Sequence, residues 1–288
     1  MKRNWIRKAF KITGVIFMAL IAIVGYLTYR FTNPDTDQEI KDQFDGEAHK
    51  PYISYENFKG IQVRVISMQE HLDEELPTLV LVHGSPGSAM DFKKYLKSEA
   101  LNKIANIMTY DRIGYGQNNT GEVLPSITEE VELLHHVMRN LDEKKIVLAG
   151  YSYGGTVIMA STGTFKKKIA LAASVRGDLE PMFWVLNLYK YGFSRSLMPN
   201  VFKAASSEKL RHVEELPAYE HQWNVSKSQV LSIHGKRDRI VPYENSLFLQ
   251  SLFDPQKFTL ISLEKGNHTL IWTNFDLIEA ALVKSLEE

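Results

Sequence analysis

The chain has 288 residues, 44% apolar and 24% charged, with 17 glycines and 10 prolines, a composition that buries a sizeable core and excludes a disordered or collagen-like chain. It has no cysteine, which excludes a disulfide framework, a thiolate zinc site, an iron–sulfur cluster and a cysteine nucleophile. The 34 basic and 34 acidic residues are unevenly spread: residues 1–30 hold six basic residues and no acid, leaving a body of net −6 without the basic footprint that nucleic-acid binding needs.

Residues 12–29 carry no charge and as a helix would span roughly 27 Å, close to a bilayer's hydrocarbon thickness. Lys2, Arg3, Arg7, Lys8 and Lys11 precede the run, Arg30 closes it, and Trp5, Tyr26 and Tyr29 sit near its ends. This predicts a retained transmembrane anchor over residues 1–31, with the N-terminus cytoplasmic and the body on the outer side of the membrane, periplasmic or extracellular. A cleaved signal peptide fits less well, because the end of the run is bulky where a small-residue cleavage site is needed. Residues 32–51 are polar and acidic, with Asn33-Pro34 and Asp45-Gly46 as turn signals, and read as a linker to a domain over 52–288.

Within that domain, short β-branched runs alternate with helical patterns. Strands are predicted at 60–68, 77–82, 104–110, 145–149, 169–175, 229–234 and 258–263; helices are predicted at 90–101, 127–141, around 156–161, 244–252 and 270–286. Apolar strands separated by helices imply a mostly parallel sheet covered on both faces, an α/β fold. Residues 176–223 break the rhythm. They hold no convincing strand but many aromatics, Phe183, Trp184, Tyr189, Tyr191, Phe193, Phe202, Tyr219 and Trp223 among them. A stretch this long reads as a helical cap inserted in the domain and roofing a pocket.

The predicted strand at 145–149 runs into Gly150-Tyr151-Ser152-Tyr153-Gly154 and then into a helical pattern. A serine on such a sharp strand-to-helix turn presents its hydroxyl clear of the sheet, and flanking glycines avoid collisions there. Ser152 is the candidate nucleophile. In this context the chain resembles the α/β-hydrolase family over nearly everything from Tyr52 onward. The resemblance implies that His83-Gly84-Ser85-Pro86-Gly87 is the oxyanion loop, with the backbone N–H groups of Ser85 and Tyr153 forming the hole. It implies that Asp111, in Asp111-Arg112-Ile113-Gly114-Tyr115-Gly116, is scaffold.

A serine hydroxyl needs a general base, and the base needs an orienting acid. In family order these are His268, in Gly266-Asn267-His268-Thr269, and Asp238, in His234-Gly235-Lys236-Arg237-Asp238. Asp178, just past the strand before the insertion, is the alternative acid. The resemblance implies a catalytic triad and an acyl-enzyme, with no metal or organic cofactor. Serine at 152, where relatives that open epoxides or remove halogens carry a carboxylate, points to acyl transfer on a small-molecule ester or amide. Esters of apolar or small acyl groups are expected. An aminopeptidase resembling proline iminopeptidases is the second reading, in which Glu180, Glu208, Glu214 or Glu215 would bind an ammonium. A non-catalytic, membrane-tethered binding protein on the same fold is the third.

Overall fold

Parallel pairing levels the carboxyl ends of six strands along one edge of an eight-stranded sheet. The strands are β1 (Tyr52–Phe58), β2 (Ile61–Ser67), β3 (Thr78–Val82), β4 (Asn106–Tyr110), β5 (Ile146–Tyr151), β6 (Lys167–Leu171), β7 (Gln229–Gly235) and β8 (Phe258–Leu263). Their order is β1-β2-β4-β3-β5-β6-β7-β8; β1 and β2 are antiparallel and every pairing from β4 to β8 is parallel. The pairs Val82↔Gly150, Leu171↔Ile233 and Gly235↔Leu263 set neighbouring strand ends level, so the loops after β3, β5, β7 and β8 open on the same edge. The computed structural model describes the backbone of residues 2–288 and their side chains except those of 2–11, 24, 27, 28, 30 and 31.

Alternation along the strands supplies two cores. Val80 and Val82 of β3 and Leu148 of β5 pack on one face with α5 (Ile127–Val137), α6 (Tyr153–Ala160) and α10 (Glu244–Leu252). Leu79, Leu81 and Val147 pack on the other with α3 (Lys93–Leu96), α4 (Glu99–Asn102) and α12 (Phe275–Glu287). The period of two along a strand produces this division. Between β6 and β7 stand the cap helices α7 (Asn187–Lys190), α8 (Gly192–Leu197) and α9 (Asn200–Tyr219), and the short α11 (Leu270–Thr273) follows β8.

Residues 32–51 depart from the expected linker. They contain α2 (Asp37–Asp42), closed by a Thr36/Glu39 capping box, and bury Ile40 and Phe44 completely. Ile40 in α2 and Phe44 just beyond its end join the hydrophobic core, which makes residues 35–51 part of the body.

The N-terminal unit is a single helix, α1 (Lys2–Thr32). Among the described residues no helix is long and apolar enough to cross a membrane. The expected single-pass anchor over 12–29 is thereby overturned, together with the cytoplasmic N-terminus and outer placement of the body that depended on it. The side chains of Trp5 and of the basic residues that set that orientation lie outside the described residues.

One buried cation makes stability depend on pH. Lys168 on β6 is fully buried and donates to the Ser161 carbonyl, and burial pushes its amine down to about 7. Above that value the folded chain holds this amine neutral while the unfolded chain still binds the proton, so stability rises with pH from about 7 towards the ordinary lysine value. Lys168→Met is expected to be more stable than the parent near pH 7 and to lose this rise, as read by urea unfolding across pH 7–10.

Candidate active site

Ser152 stands between the last residue of β5 and the first of α6 with φ 53° and ψ −119°, a backbone conformation that costs strain outside glycine. The turn is held by Ser152 N–H donating to the Leu171 carbonyl and by Gly155 N–H donating to the Ser152 carbonyl, both at 2.9 Å. Its glycines are a packing requirement. A Cβ on Gly150 would lie 2.3 Å from the Gly154 carbonyl oxygen, and one on Gly154 would lie 2.1 Å from that of Val82.

His268 Nε2 lies 3.1 Å from Ser152 Oγ, and His268 Nδ1 lies 2.8 Å from Asp238 Oδ2. The Tyr151 hydroxyl donates to the His268 carbonyl at 2.8 Å, tying the histidine loop to the residue before the serine. A carboxylate only accepts, so Nδ1 carries the ring proton and Nε2 is left to accept from the serine. Asp238 Oδ1 accepts from the backbone N–H groups of Ile240 and Val241 at 2.9 Å each, which fixes the carboxylate. Burial works against its ionisation, but hydrogen bonds from His234, His268 and Val241 outweigh burial and hold the carboxyl well below its usual range. Asp178 is not brought to this group: it is exposed and paired with Arg176, whose Nε donates to it at 2.8 Å.

Ser85 and Tyr153 line the cavity into which Ser152 opens. Tyr153 is the first residue of α6, where backbone N–H groups have no partner within the helix. Behind the loop 83–87 stands a buried network. Arg112 Nη1 donates to the Gly84 carbonyl at 3.1 Å, its Nε and Nη2 grip Glu130 of α5 at 3.1 and 3.0 Å, and Nη2 also reaches Glu208 of α9. The Tyr115 hydroxyl lies 2.6 Å from Ser85 Oγ and donates to Glu208 at 3.0 Å. His83 is buried and accepts from Arg112 N–H at Nε2; burial and the nearby guanidinium push its imidazole down to about 3, so it is neutral. Asp111 accepts from Arg64 Nε and from the N–H groups of Ala89 and Gln117, each at 2.9 Å, the scaffold role expected of it.

Residues 79–274 match the model of the Alpha/beta hydrolase family. The chain belongs to that family. Among its relatives, a Synechocystis protein named as a non-heme chloroperoxidase is 23% identical over 265 residues, covering 73% of this chain and 91% of the relative. A proline iminopeptidase of Lactobacillus helveticus is 30% identical over 112 residues, 38% of this chain and 35% of that enzyme, so the likeness spans about a third of the latter. The structure of a meta-cleavage product hydrolase from Pseudomonas fluorescens superposes with a TM-score of 0.61 at 18% identity, covering 81% of this chain and 97% of the other, a likeness of fold.

The hydrolase's Ser152 faces a cavity of about 510 Å³, within the usual range for small-molecule sites. The cap contributes Phe183, Val185, Leu186, Leu188, Met198 and Phe202 to its wall, and the polar remainder includes Ser174, Glu180, Glu208, Lys209 and His212. Burial pushes the Lys209 amine down to about 8. Among the described residues no group of three or more His, Cys, Asp or Glu side chains is arranged to hold a metal ion.

Sequence reasoning missed Arg112, Tyr115 and Glu130, whose partners lie 18 to 96 residues away in the chain. The one available signal was an arginine directly behind an apolar strand. Arg112→Met would leave two buried carboxylates without their counter-charge, and breaking such a pair costs about 3–5 kcal/mol. A loss of that size is expected in urea unfolding.

Proposed function

We propose that this chain is a serine hydrolase that cleaves carboxylic esters of apolar or small acyl groups. The observation that carries the reading is the hydrogen-bonded series from Ser152 Oγ through His268 to Asp238, at 3.1 and 2.8 Å. In this reading Ser152 Oγ attacks the ester carbonyl while His268 Nε2 takes its proton, and Asp238 stabilises the imidazolium and holds its tautomer. The backbone N–H groups of Ser85 and Tyr153 receive the negative oxygen as charge develops. The tetrahedral intermediate collapses to an acyl-enzyme, His268 returns its proton to the departing alcohol, and then activates the water that releases the acid.

The pocket's charge pairing favours this over the aminopeptidase reading. A substrate ammonium needs an unspent carboxylate, yet Glu208 is engaged by Arg112 and Tyr115, and Glu180 by Lys209 and Ser174. Glu215 accepts from the Ile127 backbone N–H, and Glu214 is exposed. The likeness to proline iminopeptidase keeps the second reading worth testing. Hydrolysis of a series of aryl esters graded by acyl length, beside proline aryl amides, is the decisive measurement. Ester turnover with the amides inert is expected; the reverse would make the protein an aminopeptidase. No turnover together with no labelling by a fluorophosphonate probe would leave a binding protein.

A further inference from the structure

The cap is unlike the rest of the surface of the body from residue 35 onward. Trp184, Tyr191, Phe193 and Leu197, all within 14 consecutive residues, are 77%, 69%, 80% and 71% exposed, and Met182 is half exposed. Isolated apolar residues on a surface are ordinary, but a concentration of large ones marks an interaction site. The charge pattern is as uneven. Residues 181–207 contain Lys190, Arg195 and Lys203 and no acid, while the rest of the chain from residue 31 onward has 25 basic against 34 acidic residues. Arg195 and Lys203 line one shallow depression with Tyr189, where Glu122 is the acid facing them.

We propose that the outer face of residues 182–197 is a docking surface for an anionic lipid–water interface. Three observations select that partner. Tryptophan and tyrosine, with an apolar body and a polar edge, favour the headgroup layer. Cations in a stretch that has no acid of its own are drawn to an anionic surface within a Debye length. The apolar face is also continuous with the cavity: Phe183, Val185 and Leu188 are exposed on the outside by 44%, 45% and 39% and line the space before Ser152. A protein partner seated there would cover that route, whereas a lipid layer would supply it. An ester dissolved in such a layer would pass along this face to Ser152, a consequence that rests on the serine-hydrolase reading. The docking itself does not.

The absence of cysteine permits a site-specific test on the full chain. A polarity-sensitive thiol dye on Phe193→Cys is compared with the same dye on Lys144→Cys, an exposed position at the amino end of β5 and so opposite the site. Vesicles of phosphatidylglycerol and phosphatidylcholine should shift the dye at 193 to the blue and leave that at 144 unchanged. The shift should be smaller with phosphatidylcholine alone and in high salt, and should be lost when Trp184→Ser and Leu197→Ser are added. Lys190→Glu with Arg195→Glu, which leave the apolar residues in place, should weaken it and keep the unfolding temperature. Three results would overturn the proposal: no shift at 193, equal shifts at both positions, or a shift that survives charge reversal. A blue shift that grows with protein concentration and needs no vesicle would replace the lipid surface by a second copy of the chain. These readouts involve no catalysis, so their failure and that of the esterase reading are told apart by the ester assay.

Discussion

Ser152→Ala is expected to lower ester turnover by at least about 10⁴-fold and to abolish labelling by a fluorophosphonate. The substitution removes the oxygen proposed to attack and nothing that holds the fold. Among the described residues Ser152 Oγ has one hydrogen-bond partner, His268 Nε2, and the bonds that fix the turn are made by its backbone N–H and carbonyl. Alanine keeps the Cβ that packs 3.0 Å from the position of a Cβ built on Gly84, and it meets the same backbone strain at φ 53°. The unfolding midpoint should therefore stay near that of the parent. Undiminished turnover in a folded Ser152→Ala protein would remove the nucleophile from the mechanism.

Asp238→Asn is expected to cost at least about a hundredfold in kcat/KM, and Asp178→Asn less than about tenfold. An asparagine at 238 can keep its carbonyl oxygen on the backbone N–H groups of Ile240 and Val241, so the loop retains its shape. Its amide then points a donor at His268 Nδ1 in place of an acceptor. The ring answers by moving its proton to Nε2, which faces Ser152 and can no longer accept from it. Asp178, exposed and paired with Arg176, has no such link to the ring. The opposite ranking in two folded variants would move the orienting acid to residue 178.

Where local pattern decides, the sequence anticipates the structure closely. The predicted helix at 244–252 and strand at 258–263 coincide with α10 and β8, because each combines a clear period with a turn residue at its boundary. The glycine-flanked serine was legible for the same reason, since its requirements are met by residues adjacent in the chain. β1 was not anticipated: Tyr52–Phe58, the outermost strand of the sheet, has exposed or half-buried positions at every residue but Phe58 and so carries little apolar contrast. The predicted helix at 270–286 is divided into α11 and α12 at Asn274, whose backbone (φ −124°, ψ 36°) leaves the helical region. The expected anchor over residues 12–29 did not carry over, since among the described residues no helix is long and apolar enough to cross a membrane.

The grip of Arg112 on both Gly84 and Glu208 bears on how such an enzyme can be rebuilt. A cap is usually treated as an exchangeable module, cut at the two points where it leaves the sheet. Here the roof and the loop that starts beside the serine share one guanidinium. A chimera that imported a foreign roof lacking an acid at the place of Glu208 would leave Arg112 answered by Glu130 alone and Tyr115 without its acceptor. Transplanting specificity into this scaffold thus means moving residues 112, 115 and 208 as one unit, or designing a new acid on the incoming helix at that height.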